Sequence, residues 1–519
     1  MSQLNRRTFV LGTAAGAGLL GLPRTAGASA SPALVVAGRP ALTSGVMSGD
    51  VTSTGATVWA RSDRPGRLVA LVHGAGGSRL RIRGPLATPD TDLTAKLDLQ
   101  GLAPGREHIV TLAFENEDGQ LGEHADLRFR TAPAGPGATS FVWTGDTCGQ
   151  GWGINPDLGG FRAYAAMHAT RPDFFLHSGD TIYADNPIAE QVVEPDGQVW
   201  RNIVIPEVAK VAESLAEFRG RHRYNLMDEN VRAMYAEVPV VAQWDDHETH
   251  NNWYPGQVLT DDRYAERRVD VLAARAKQAW WEYQPISNRL SVARQTAAGV
   301  PGRIYRKLSY GRHLDVFCLD MRTYKDPNTT GLEPAQTHIL GPEQTDWLIR
   351  EVAASTATWK VIASDLPLGL VVPDGPVNQE SLSNGDPGTA RGKELEIAAV
   401  LSSFKRARVR NTVWLTADVH YCAAHHYDPT RASFADFDPF WEFVAGPIAA
   451  GTFGPNTLDG TFGPRADFVK AADYPNQSPR HGNQFFGHVE IDEDGRFRAS
   501  LRNADAEVLY SRTLDPAPR

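Results

Sequence analysis

Apolar and polar positions follow two rhythms along this chain, and the change between them divides it. From residue 42 to residue 131 short strand-like runs recur, at 45–50, 56–61, 68–72, 109–112 and 127–131, with turn residues between them. Short runs bounded by turns mark strands. Strands at this spacing predict a small β-sandwich over residues 40–132, and residues 132–139, rich in Pro, Gly and Ala, read as a linker. Beyond the linker, continuous apolar runs alternate with stretches of helical period, the pattern of an α/β or α+β unit. Gly341-Pro342-Glu343 opens one helix, residues 263–283 form a longer one, and residues 205–237 hold a helical insertion.

Five apolar runs in this second part end in acids: Asp146 after 141–145, Asp180 after 174–179, Asp245 and Asp246 after 240–244, Asp365 after 361–364 and Asp418 after 413–417. Runs this short and this apolar are buried strands. Parallel strands in an α/β sheet share a carboxyl edge, where ligands bind. Carboxylates converging there repel and raise one another's pKa unless cations hold them, so the pattern predicts a site for more than one metal ion.

Composition narrows the setting. Asn5-Arg6-Arg7-Thr8-Phe9-Val10-Leu11, a Gly/Ala/Leu stretch to residue 22 and small residues around 26–30 predict a twin-arginine export signal over residues 1–30. The expectation is a secreted protein, extracellular or periplasmic, handled by the twin-arginine export machinery. The apolar stretch is shorter than the roughly 20 residues that cross a bilayer, and no later run supplies them, so no membrane span is expected. The remaining chain, roughly 490 residues, exceeds what one core supports. Three cysteines, Cys148, Cys318 and Cys422, exclude a disulfide framework. A net charge of −9 with scattered basic residues gives no stripe for nucleic acid, although a small phosphate ester remains compatible.

The motifs Gly145-Asp146-Thr147-Cys148, Gly179-Asp180-Thr181-Ile182-Tyr183, Trp244-Asp245-Asp246-His247-Glu248, Ile362-Ala363-Ser364-Asp365 and Ala417-Asp418-Val419-His420 resemble, in order and spacing, the calcineurin-like metallophosphoesterases. The Gly-Asp-x-x-Tyr element is similar to purple acid phosphatases, and the full set to PhoD-type alkaline phosphatases and phosphodiesterases. The resemblance implies a fibronectin type III-like sandwich followed by a metallophosphoesterase αββα sandwich over residues 139–515. It also implies a first metal on Asp146, Asp180, Tyr183 and His420, with Cys148 as an added ligand. Asp180 would bridge to a second metal on Asp246, Asp365 and Asp418. Carboxylates standing where purple acid phosphatases have Asn and two His favour a hard ion, calcium first and manganese or magnesium as alternatives, while phenolate and thiolate donors favour Fe(III). Two such cations would turn a shared water into the attacking hydroxide near neutral pH. His247 matches the position that protonates the leaving group.

Arg322 follows another apolar run and either contacts substrate phosphate or pairs with Asp320. His250, Asn251, Asn252 and His481 are further substrate-binding candidates. Adjacent His425 and His426 point apart and predict a surface loop. The expected activity is hydrolysis of phosphomonoesters, phosphodiesters or both. A phospholipase of the D or C type is the alternative within the same chemistry, with Leu215, Phe218, Leu226 and Met227 of the insertion as an apolar rim. A wall-associated module stabilised by calcium without catalysis is the alternative from another class.

Overall fold

The first part of the chain folds into seven strands. They are β1 (Leu42–Gly49), β2 (Gly55–Ser62), β3 (Gly66–His73), β4 (Arg79–Ala87), β5 (Thr94–Gln100), β6 (Glu107–Glu115) and β7 (Leu121–Arg130). The computed structural model describes residues 38–74, 77–287 and 303–517, so the export signal assigned to residues 1–30 lies outside the described residues. The sheet β4-β3-β6-β7 faces β1, β2 and β5 across a core that includes Val58, Leu68, Leu99, Val110, Leu127 and Phe129. Two strands lie beyond those the apolar runs predict. β4 reads Arg-Leu-Arg-Ile-Arg and is largely exposed, as an edge strand should be, so it offers no continuous apolar run. β5 is half-buried along most of its length.

The second part alternates strands and helices. β8 (Thr139–Thr144), α1 (Arg162–Ala169), β9 (Phe174–His177), the hairpin β10 (Gln191–Val193) and β11 (Val199–Arg201), α2 (Leu215–Asn225), α3 (Glu229–Tyr235), β12 (Val240–Ala242) and α4 (Val269–Tyr283) come first. There follow β13 (Arg306–Tyr310), β14 (Leu314–Cys318), α5 (Pro342–Ala354), β15 (Trp359–Ala363), a hairpin of β16 (Pro373–Asp374) and β17 (Asn378–Gln379), and α6 (Lys393–Arg406). The chain closes with β18 (Thr412–Thr416), β19 (Cys422–Tyr427), β20 (Phe440–Val444), β21 (Pro464–Lys470), β22 (Phe485–Ile491), β23 (Phe497–Asn503) and β24 (Val508–Leu514). The expected helix over 263–283 begins only at Val269. Asp261 and Glu266 capture the backbone N–H groups of Arg263 and Arg268, which favours turns over a helical start.

Strand alternation sets the layers. One sheet runs β24-β23-β22-β8-β9-β12-β1-β2-β5 and the other β13-β14-β15-β18-β20-β19-β21. Phe141, Trp143, Phe174, Leu176, Val361, Val413 and Leu415 fill the space between the sheets. Their neighbours Val142 and Phe175 turn instead toward α1 to α4, and Ile362 and Trp414 toward α5 and α6. The result is the αββα sandwich. β1 pairs in parallel with β12, so the N-terminal sandwich shares a sheet with the second part. His425 and His426 sit on β19 rather than on a surface loop: His425 is buried against Glu442 at 3.0 Å and His426 packs on Trp441, because alternation gives one ring to each face.

A buried ion pair ties the sheets where β1 ends. Arg306 Nη2 donates to Asp50 Oδ1 at 2.7 Å, Nε to Oδ2 at 2.9 Å, and Nη1 to the carbonyl of Ala242 at 2.9 Å. Neither side chain of the pair meets solvent. Breaking such a pair from one side strands a charge, so Asp50→Asn should lower the unfolding free energy by about 3–5 kcal/mol. Chemical denaturation monitored by tryptophan fluorescence measures it, and a loss within error of zero would show the pair to be dispensable.

Candidate metal centre

The six acids stand past the ends of five strands that run in parallel within their sheets: β8, β9 and β12 in one sheet, β15 and β18 in the other. Each strand stops, and the chain turns sharply to aim a carboxylate inward. Asp146, Asp180 and Asp418 hold left-handed backbone, with φ of 64°, 50° and 65°, and so does His420 at 58°. Such conformations in non-glycine residues carry strain of order 1–3 kcal/mol each and collect at functional sites. Neighbouring glycines make room. A Cβ on Gly179 would lie 2.5 Å from that of Asp245, and one on Gly446 would lie 2.3 Å from Asp146 Oδ2.

Three overlapping groups of donor atoms, each within 4.8 Å of one another, emerge among the described residues: Asp146, Asp180 and His420; Asp180, Asp246 and His247; Asp245, Asp246 and Asp418. Asp180 and Asp246 each belong to two of them. Tyr183 joins the first group, its hydroxyl 2.8 Å from His420 Nε2, while His420 Nδ1 donates to the carbonyl of Gly451 at 2.6 Å. That bond fixes the tautomer and leaves Nε2 for a ligand.

These residues fit cations. Asp146 Oδ2, Asp245 Oδ2, Asp246 Oδ1 and both oxygens of Asp365 are buried without a hydrogen-bond partner. Burial, and then the charge of neighbouring acids, pushes the carboxyls of Asp146, Asp180, Asp365 and Asp418 well above their usual range. Burial and the charges of Asp180, Asp146 and Asp246 likewise raise the Tyr183 phenol. Positive charge at the centre removes both penalties at once.

His247 lies against this centre. Its ring stacks on Tyr183 with centroids 4.2 Å apart, its backbone N–H donates to Asp180 Oδ1 at 3.0 Å, and Nδ1 is 2.7 Å from Asp185 Oδ1. Burial pushes the imidazole down, but the charge and hydrogen bond of Asp185, with Asp246, outweigh it and raise the ring to about 9.

The remaining candidates separate. Cys148 is not brought into the group: Sγ donates to the carbonyl of Trp152 at 3.3 Å, and burial among apolar side chains pushes the thiol up to about 12. Arg322 resolves neither as a substrate contact nor as a simple partner of Asp320. It is fully buried and meets Asp245 at 2.5 Å, although its backbone N–H does donate to Asp320 Oδ1 at 3.2 Å. Asn252 touches the centre through its backbone, donating to Asp246 Oδ2 at 2.6 Å, and Asn251 donates to Asp185 Oδ2 at 3.0 Å. His250 packs on Tyr264, and His481 lies 3.3 Å from the Tyr474 hydroxyl and 3.9 Å from Glu194. The expected apolar rim is absent from the insertion: Phe218 and Leu226 are buried in the core, Leu215 packs on it, and only Met227, 40% exposed, faces out. Their apolar faces go to covering the sheet.

Two residues escape a reading of strand-end motifs. Asp185 lies five positions beyond Asp180, where only the fold reveals that it meets His247. Glu248 accepts the backbone N–H groups of Asp180, Thr181 and Asp245 at 3.0, 2.6 and 2.7 Å and so locks two strand-end turns together. Its place directly after Asp-Asp-His was the available signal.

A centre of this kind in this fold belongs to the metal-dependent phosphoesterases. Residues 141–508 match the family model "PhoD-like phosphatase", and residues 28–133 match "PhoD-like phosphatase, N-terminal domain". The chain belongs to the PhoD-like phosphatase family and is a phosphoric ester hydrolase. It is 26% identical over 480 residues to alkaline phosphatase D of Bacillus subtilis (strain 168), covering 86% of this chain and 76% of that one. Among solved structures, that of PhoD superposes with a TM-score of 0.67 at 20% identity over 91% of this chain and 88% of the other. A purple acid phosphatase, PPD1 from yellow lupin (Lupinus luteus) seeds, superposes at 0.52 with 12% identity over 92% and 74%. No helix of the described residues is long and apolar enough to cross a membrane.

Glu248→Gln replaces an acceptor of three N–H groups by an amide with one oxygen. Divalent-ion affinity, read by calorimetric titration of chelator-stripped protein, should fall by about 10–100-fold with the fold retained, the usual effect of losing a group that supports ligands. Unchanged affinity would mean that the turns hold their shape without it.

Proposed function

We propose that this chain, after twin-arginine export directed by residues 1–30, hydrolyses small phosphomonoesters and phosphodiesters at a centre of Fe(III) and calcium. Residues 40–132 form its N-terminal domain and residues 139–515 its catalytic domain. The observation that carries the reading is the convergence of unpartnered, buried carboxylates at the shared strand edge. The family match and the name of the Bacillus subtilis relative support the reaction class.

Asp146, Asp180, Tyr183 and His420 would hold the iron, since a phenol whose proton is held this firmly binds only a strongly polarising cation. Asp180, Asp246, Asp365 and Asp418 offer oxygen alone, the donor set for calcium, with manganese or magnesium as alternatives. When bound, such ions supply Lewis-acid charge that activates water and offsets the phosphoryl oxygens. The chain's own residues supply the proton. Asp185 keeps Nδ1 of His247 engaged and its ring protonated, leaving Nε2 to deliver a proton to the departing alkoxide. Asp185 is thus a positioning residue and His247 the general acid.

His247→Ala should lower turnover of an alkyl phosphate by roughly 10²–10⁴-fold and that of p-nitrophenyl phosphate far less, because p-nitrophenolate departs without a proton. A folded-state pKa above the usual 6.5 means that the acid form is intact through neutral pH and lost as pH rises through about 9. Asp185→Asn should therefore move the basic limb for the alkyl substrate to lower pH. Equal losses on both substrates, with an unmoved limb, would remove His247 from the proton transfer.

Elemental analysis of protein exported in the folded state should give about one iron per chain together with calcium, and a visible absorption band that Tyr183→Phe abolishes with iron retained. Cys148→Ser should leave the band unchanged, because the thiol is engaged with the carbonyl of Trp152. Stoichiometric zinc without calcium, or a band indifferent to Tyr183, would redraw the centre.

A further inference from the structure

Arg322 brings the chain's own positive charge into the acid centre. Nε lies 2.5 Å from Asp245 Oδ1 and 3.6 Å from Asp365 Oδ2, Nη2 lies 3.6 Å from Asp418 Oδ1, and Nη1 donates to Glu380. One guanidinium therefore faces acids from the ends of β12, β15 and β18. It exposes no surface, so a substrate phosphate cannot reach it. It is also held from behind: Glu380 accepts from Lys325 Nζ at 2.5 Å and from Asn328 Nδ2 at 2.6 Å, and its backbone carbonyl accepts from Lys393 Nζ at 3.0 Å.

Buried charges with this much support are costly to assemble, and removing one member strands the rest. Two of the acids around Arg322, Asp245 and Asp418, belong with Asp246 to the third donor group. Asp245, Asp246 and Asp418 bring oxygens within 4.8 Å of one another, while Asp245 Oδ2 and both Asp365 oxygens have no hydrogen-bond partner. Nη2 of Arg322, also without one, approaches the Asp418 side of the same space.

We propose that Arg322 is a tethered cation standing in for a further metal ion among Asp245, Asp365 and Asp418, and that it thereby fixes how many ions the centre takes. Glu380, Lys325 and Asn328 hold it at that position. The inference rests on the reading that the acid set binds cations, and predicts that an uncharged side chain opens one more site of hard, calcium-like preference.

Arg322→Met keeps an unbranched apolar stem and removes the charge. Wild type and variant, stripped with chelator and dialysed against calcium, are compared for bound calcium by elemental analysis and for melting temperature against calcium concentration. The variant should bind one more calcium per chain and its melting temperature should climb more steeply with calcium, while Arg322→Lys should keep the wild-type count. A folded Arg322→Met with an unchanged or lower count overturns the proposal. Where Arg322→Met does not fold, the double variant Arg322→Met, Asp245→Asn decides, because removing the cation together with its closest acid should restore folding with the wild-type count. Failure of the double variant to fold, or loss of its calcium, overturns the proposal equally. A wild type that takes no calcium sinks the metal assignment above, whereas only the difference between variant and wild type bears on Arg322.

Discussion

Carboxylates buried side by side cannot all be ionised unless positive charge is placed among them, and this constraint governs the structure from the strand ends outward. At the short separations of this centre, each added negative charge in a poorly screened interior raises the proton affinity of its neighbours. Asp146, Asp180, Asp365 and Asp418 all show that effect, and Tyr183 shows it for a phenol. Without cations the centre would take up protons and lose the donors that define it. Metal binding and the ionisation state of the site are therefore one equilibrium, not two.

The fold meets the mechanical side of the same constraint. Left-handed turns at Asp146, Asp180, Asp418 and His420 are strained, and they persist because close-packed strands on both sides leave the chain no other course. Glu248 ties the turns after β9 and β12 to each other by three N–H bonds, and the Asp50–Arg306 pair anchors β1 and β12 to β13 nearby. Rigidity of this kind keeps the ligand geometry fixed through turnover. It also gives the N-terminal sandwich a part in the centre without contributing a ligand, because β1 extends the sheet that carries Asp146, Asp180 and Asp246.

Charge is balanced differently on the two sides of the centre. On the side of β8 and β9, Tyr183, His420 and His247 crowd the acids, and His247 draws its proton affinity from Asp185. On the side of β15 and β18 the counter-charge comes from Arg322, backed by Glu380 and Lys325. One side carries an imidazole whose charge depends on Asp185, and the other a guanidinium held in place by buried acids.

The sequence by itself determined the strand-end acids and their convergence, and the resemblance of its motif order to the metallophosphoesterases implied the αββα layering and the reaction class. These come from local rules: a short apolar run is a buried strand, a shared carboxyl edge gathers the residues just past each strand, and the motif order is read directly. Local rules failed where the direction of a side chain or a partner distant in the chain decides the contact. Cys148 stands two residues from Asp146, yet its thiol turns to Trp152, since a sharp turn aims neighbouring side chains in different directions. Leu226 and Phe218 read as a surface rim and are core, because only packing decides which face of an insertion is covered. Asp185 finding His247, Glu380 holding Arg322 and β1 joining the catalytic sheet depend on contacts across 62, 58 and nearly 200 positions, as tertiary structure alone can bring about. Charge pairing in a buried site is set by which elements meet in space, and no periodicity along the chain encodes that meeting.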